Sequence, residues 1–153
     1  MATTIRKALE SDADALAALV RGLGLFSWME NESATSLRDR LLGHLAQCMG
    51  DDSHTVLVAE RDGVVGYVAA HWLPYLILPH PEAYVSELFV HETARGLGVG
   101  GLLLDAIHRE AHARGCSRVS LLNRNTRESY RRGFYAKRGY EARDDMVNFV
   151  MKL

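Results

Sequence analysis

The most chemically suggestive stretch of the 153-residue chain is Arg95-Gly96-Leu97-Gly98-Val99-Gly100-Gly101, which runs directly into an apolar helical pattern. Successive backbone N–H groups in a tight turn, feeding the positive end of a helix dipole, form an anion site that needs no cationic side chain. Glycine lets the backbone approach a phosphate closely, and Arg95 at the rim adds a charge-assisted contact. The plainer alternative is a flexible turn between strand and helix. Gly96, Gly98 and Gly101 also fit G-x-G-x-x-G, yet the dinucleotide-binding fold wants a carboxylate about 20 positions further on. Here the next strand ends at Leu122-Asn123-Arg124, with no carboxylate at its tip. A P-loop fails as well, because no lysine follows the glycines; Lys7, Lys137 and Lys152 all lie elsewhere.

Glu87 is a lone carboxylate in an apolar strand, which suits either a partnered carboxylate or a base. Strand parity places it with Val85 and Phe89, opposite Ser86 and Leu88, unless a bulge intervenes. His108 and His112 stand four apart, a spacing that reads as a solvated helix face: they do not complete H-E-x-x-H and have no third ligand, so no metal is expected. Cys48 and Cys116 have no cysteine neighbour and read as reduced, buried small hydrophobes. The chain carries 18 Lys+Arg and 19 Asp+Glu, but unevenly. Residues 1–113 hold 8 basic and 15 acidic side chains, whereas residues 114–143 hold 9 and 2. A basic segment suits a phosphate-bearing partner or is simply a solvated face; without a recognised nucleic-acid module it argues against RNA.

These residues need a framework to hold them. With 48% hydrophobic and 24% charged residues, the composition is that of a soluble globular protein, and the length fits one domain over residues 1–153. The acidic start and the lack of a long apolar run predict a cytoplasmic protein with no membrane partner. Thr3–Lys7 reads as a strand. Leu16, Leu19, Val20 and Leu23 share one helix face, and Leu37, Leu41, Leu45 and Cys48 share another, with Thr35 as the second helix's cap. His54–Glu60 and Val64–Trp72 read as strands joined by an Asp62-Gly63 hairpin turn. Three prolines make residues 73–81 irregular, and Tyr84–Val90 resumes a strand. A helix with Val99, Leu102, Leu103, Ala106 and Ile107 as its stripe, a strand over Ser117–Asn123, a helix over Glu128–Arg138 and strands near Tyr140–Arg143 and Met146–Leu153 complete the order β-α-α-β-β-β-α-β-α-β-β. This predicts a mixed α/β fold, with helices on both faces of a mostly antiparallel central sheet.

The strand ending Glu87-Leu88-Phe89-Val90, four spacer residues and Arg95-x-x-Gly98-x-Gly100 resemble the acyl-CoA motif of the GNAT superfamily of N-acetyltransferases. Phe134-Tyr135-Ala136-Lys137-Arg138-Gly139-Tyr140 resembles that family's closing aromatic segment, and the element order agrees over the whole chain. The resemblance implies a GNAT-like fold and acetyl-CoA as donor, its pyrophosphate held by backbone N–H groups of Arg95 to Gly101. It implies that Leu88, Phe89 and Val90 pair with the pantetheine arm, one N–H polarising the thioester carbonyl. The strands holding Tyr84–Val90 and Ser117–Asn123 would splay to admit it, and a bulge is frequent in the first of them. Tyr135 matches the acid that protonates departing CoA. A phenol near pKa 10 giving a proton to a thiol near 8.5 is uphill by roughly 2 kcal/mol, which the site must absorb. Glu87 becomes the candidate base, with Glu92, His91 and His71 as substitutes.

The acceptor is then a small-molecule or peptide amine. Trp28, Glu30, Glu32, Trp72 and Tyr75 fall where the family builds its acceptor site, and acidic and aromatic groups suit a cation. Glu128 and Arg131 stand where relatives often have Asn and Ala, which leaves open whether Asn123, Asn125 or Tyr130 touches CoA. Dimers are common among relatives, so a homodimer is a further expectation. A non-catalytic acyl-CoA-binding or sensor module and a nucleotide-dependent oxidoreductase are the alternative functions.

Overall fold

The computed structural model describes all 153 residues. Its contacts divide them into two compact units, Met1–Leu121 and Leu122–Leu153. The larger unit is built on a five-stranded sheet of β1 (Thr4–Lys7), β2 (His54–Glu60), β3 (Val64–Leu73), β4 (Glu82–Val90) and β5 (Arg118–Leu121), in that spatial order. All neighbours are antiparallel except β4 and β5, which are parallel and joined through a helix, as a parallel crossover requires. Asp62 (φ 56°) and Gly63 (φ 110°) make the β2–β3 turn in the positive-φ conformation that Asp-Gly favours.

Helices α1 (Ala13–Gly22) and α2 (Ala34–Met49) cover one face of this sheet. Leu16, Leu19, Val20, Leu37 and Leu45 join Val58 and Tyr67 in one buried cluster. Helix α3 (Val99–Ala113) covers the other face, where Leu103 comes against Gly66. Residue alternation explains the division: Val58 and Tyr67 are register partners on one face, and Ala59 and Gly66 on the other. The buried stripe of α3 is Val99, Leu103, Leu104, Ile107 and Ala111; Leu102 is exposed, and Ala106 is only half-buried, one turn-position off the expected stripe.

Several expected boundaries shift. Ser33, not Thr35, caps α2, its hydroxyl accepting from the Ser36 N–H at 3.1 Å. In the smaller unit the expected helix over Glu128–Arg138 is a short α4 (Glu128–Arg131) and a 3-10 turn (Ala136–Arg138). Gly133, at φ 68°, breaks it, because a left-handed residue ends the helical hydrogen-bond ladder. The strands expected near Tyr140–Arg143 and Met146–Leu153 are not formed, and Val147, Phe149 and Val150 are exposed. An alternating apolar pattern makes a strand only when a neighbouring strand accepts its hydrogen bonds, and none pairs with these residues.

Candidate functional site

The β4 strand is interrupted where chemistry was expected. Its register to β3 pairs Glu87 with Ala69 but Val85 with Ala70, leaving Ser86 as an extra, bulged residue. The bulge separates Glu87 from Val85: Glu87 shares the α1/α2 face with Phe89, while Val85 turns toward α3, correcting the simple parity. The pairing of β4 with β5 runs only from Glu82–Arg118 to Val85–Leu121. From Ser86 to Val90 the β5-side edge of β4 therefore carries no strand partner. The two strands thus part beyond Val85 and Leu121.

Beyond that open edge, the chain passes through a 3-10 turn over Glu92–Ala94 and enters α3 at Gly98. Gly96 and Gly98 take left-handed conformations, φ 74° and 78°, and a Cβ at either would project into open space. The first helical bond of α3 runs from Leu102 N–H to the Gly98 carbonyl, so the N–H groups of Val99, Gly100 and Gly101 precede the ladder. Gly96 to Gly98 are exposed and Gly100 is half-buried, whereas Val99 and Gly101 are buried, so the phosphate-suited face of this helix start lies at the glycine turn. Leu97 is exposed beside it, and the Arg95 Nε donates to the Val90 carbonyl at 3.3 Å, tethering that cation to the end of β4.

On the α2 side of the sheet lies a cavity of about 410 Å³. Helix α2 contributes His44, Gln47 and Cys48; β2 contributes His54 and Val56; β3 and β4 contribute His71, Ser86 and Glu87, with Ala69 and Ala70 between. The Tyr67 hydroxyl donates to Glu87 Oε1 at 3.0 Å. Burial, reinforced by the Glu87 charge, pushes the Tyr67 phenol far above its ordinary range, so it remains a donor. Burial and Glu87 also raise the Cys48 thiol. That cysteine is half-buried and lines the cavity instead of filling the core, and Cys116 is half-buried too.

The GNAT acetyltransferase family model matches residues 20–140. The chain belongs to this family. Acetyltransferase Atu2258 of Agrobacterium fabrum (strain C58) is 30% identical over 118 residues, covering 71% of this chain and 79% of that protein. A transcriptional regulator from Bacillus halodurans C-125 shares the fold with a TM-score of 0.83 at 23% identity, covering 98% of this chain and 100% of that one. An aminoglycoside acetyltransferase from an uncultured soil metagenomic sample, in complex with trehalose, has a TM-score of 0.76 at 22% identity, covering 99% and 96%.

Within this GNAT framework the residues expected around the acceptor are redistributed. Glu32 is an ion-pair partner of Arg40 at 2.7 Å, and the Arg40 guanidinium lies 5.1 Å from the Trp28 ring centroid. The aromatic-acidic loop already holds a cation of its own. Trp72 is buried on the α3 face, its indole N–H donating to Thr55 Oγ1 at 3.1 Å beneath the Arg114 guanidinium. It is a core residue, not an acceptor contact. Glu30 and Tyr75 are exposed. His91, a substitute base, caps the turn after β4 through Thr93.

Tyr135 lies in the smaller unit, its ring 4.9 Å from Phe134 and 5.7 Å from Tyr140. Burial raises its pKa against the opposing pull of Arg127, which keeps the phenol protonated at neutral pH. Asn123 bonds Ser129 within the same unit. No group of three or more His, Cys, Asp or Glu is arranged to hold a metal ion, and no helix is long and apolar enough to cross a membrane.

His44, Gln47 and His54 were not singled out by sequence. Their signal lay in combined periods: His44 and Cys48 are four apart on α2, and His54 and Val56 two apart on β2. Only the packing of α2 over β2 turns those two patterns into one wall.

Proposed function

We propose that the protein transfers the acetyl group of acetyl-CoA to a primary amine by direct attack within a ternary complex. The observation that carries this reading is the bulge at Ser86, which opens the edge of β4 and turns Glu87 into the cavity. Acetyl-CoA supplies the activated acyl group. The N–H groups at Gly98–Gly101 bind its pyrophosphate, and backbone N–H groups along the Leu88–Val90 edge orient its arm and polarise the carbonyl.

Glu87 attracts the acceptor as an ammonium and is the first acceptor of its proton, fixed by the Tyr67 hydroxyl. Tyr135 supplies the proton for the departing thiolate. Direct transfer needs no acyl-enzyme, and Cys48, whose thiol is held up by burial and by Glu87, is not activated as a nucleophile. A non-catalytic acyl-CoA sensor is the second reading, favoured by the same open edge and phosphate cradle, which serve binding alone equally well.

Thiol release from acetyl-CoA across an amine library distinguishes the two. Turnover with at least one amine is expected, and Glu87→Gln should lower kcat/KM for that amine by about 100-fold while leaving acetyl-CoA affinity intact. Acetyl-CoA binding without thiol release for any amine would establish the sensor reading instead.

A further inference from the structure

The cavity on the α2 side of the sheet presents two nucleophilic side chains, the Cys48 thiol and the Ser86 hydroxyl. The Cys48 thiol is held up by burial and by the Glu87 charge, so little of it is thiolate at neutral pH. A serine hydroxyl is weaker still by itself and attacks only beside a base. Ser86 has such a partner: its Oγ lies 2.7 Å from His71 Nε2.

The β4 bulge makes this pair. Strict alternation would put Ser86 and Glu87 on opposite faces, yet with Ser86 as the extra residue both reach the cavity that His71 lines from β3. The Ser86 hydroxyl has two acceptors within reach. The Ala69 carbonyl at 3.4 Å is beyond the usual O–H···O range, whereas His71 Nε2 at 2.7 Å is at its centre, so the hydrogen is directed to the imidazole. This assigns His71 the tautomer with its proton on Nδ1. The ring is held edge-on to His54, with centroids 4.7 Å apart, and lies 6.1 Å from the Tyr84 ring. Burial, with the neighbouring His54, keeps the His71 imidazole below its ordinary value, so it is neutral at pH 7 with its lone pair available to Ser86.

Ser86 is also exposed, and it is the first β4 residue beyond the last β4–β5 pair, Val85–Leu121. The same residue therefore borders both the cavity and the open strand edge. We propose that Ser86 and His71 form a nucleophile–base pair through which the protein takes up the acetyl group of acetyl-CoA as an ester when no amine fills the cavity. The inference rests on the acetyltransferase reading for its donor and adds a covalent, hydrolytic activity to it.

Ser86 Oγ bonds to the thioester carbonyl carbon as His71 Nε2 takes the hydroxyl proton. The C–S bond then breaks, and the proton passes from His71 to the departing thiolate. Water, deprotonated by the same nitrogen, attacks the ester; the C–Oγ bond breaks, acetate leaves and the proton returns to Ser86. The sum is acetyl-CoA and water to acetate, CoA thiol and one proton at neutral pH. The second half is the slower one. The first half expels the anion of a thiol near pKa 8.5, whereas a serine alkoxide comes from a far weaker acid, so acetyl-Ser86 accumulates. With an amine bound, direct attack consumes the thioester first.

The test is incubation of the full-length protein with acetyl-CoA and no amine, followed by acid quench, intact mass and peptide mapping. One acetyl group per chain is expected, located at Ser86 and removed by hydroxylamine, which cleaves esters and spares amides. Thiol release without amine should show a burst and then a slower steady rate. Ser86→Ala should abolish both ester and burst, and His71→Ala should slow the burst about 100-fold with acetyl-CoA affinity intact. The wild-type ester needs no variant, so a His71→Ala protein that fails to fold leaves the labelling decisive. Acetyl on Cys48 or on a lysine instead of Ser86, or a burst that survives in Ser86→Ala or in folded His71→Ala, would overturn the pair. Wild type that turns over an amine yet carries no ester would also overturn it, while sparing the acetyltransferase reading. Wild type that carries the ester but turns over no amine would keep the pair and overturn amine transfer. No thiol release of either kind would overturn both.

Discussion

Tyr135 and Glu87 carry opposite halves of the proposed proton traffic, and their environments set how each can fail. Tyr135 is half-buried and its phenol is raised, so it is fully protonated at neutral pH yet a weaker acid than in water. Tyr135→Phe should keep acetyl-CoA affinity and reduce kcat by about 100-fold, checked by steady-state kinetics alongside binding calorimetry. An unchanged kcat would remove Tyr135 from the reaction. Both candidates follow from their types and positions in the sequence. The meeting of His54, His71 and Glu87 at one cavity does not, because no single one of those side chains is chemically unusual.

At the level of elements, the close approach of β3, β4 and α3 decides whether the β4 edge opens in the right place. A Cβ on Gly66 would sit 3.0 Å from the Phe89 carbonyl oxygen and 3.3 Å from both Leu103 Cδ1 and Val90 Cγ2. Gly66→Ala should cost about 1–3 kcal/mol, read as a lower urea midpoint. It should also weaken acetyl-CoA binding, because the displaced backbone belongs to Leu88–Val90. Helix α3 and the strands β2 to β4 were legible within a residue or two, because apolar periodicity and Asp-Gly turns act locally. The two bulges were not. The first, at Val65, shifts the β2–β3 register by one so that His54 meets His71; the second, at Ser86, turns Glu87 toward the cavity. Either changes facing side chains without altering the hydrophobic pattern that announces a strand.

For the larger unit as a whole, the Arg6–Asp12 pair ties β1 to the start of α1. Arg6 reaches both Asp12 carboxylate oxygens, at 2.8 and 2.9 Å, and Glu60 at 2.8 Å. The hydrogen bond from Arg6 holds the nearly buried Asp12 carboxyl below its ordinary value. A carboxyl depressed on folding contributes stability that is complete above its unfolded pKa of about 3.9 and is lost as pH falls through the folded value. Asp12→Asn should therefore cost about 2 kcal/mol at neutral pH. The difference from wild type should shrink below about pH 4. Thermal unfolding across pH measures both.

The sequence by itself determined the family, the order of the first eight elements and the glycine turn that opens α3. Apolar period, turn chemistry and a glycine-dense helix start are all written within a few residues of one another. Tertiary structure alone decided that Trp72 belongs to the core and that Glu32 is spent on Arg40. It also left the apolar C-terminal segment unpaired and gathered His44, His54, His71 and Glu87 around one cavity. Those outcomes depend on strand register and on which faces pack together, and register is a relation between distant segments that no local pattern records.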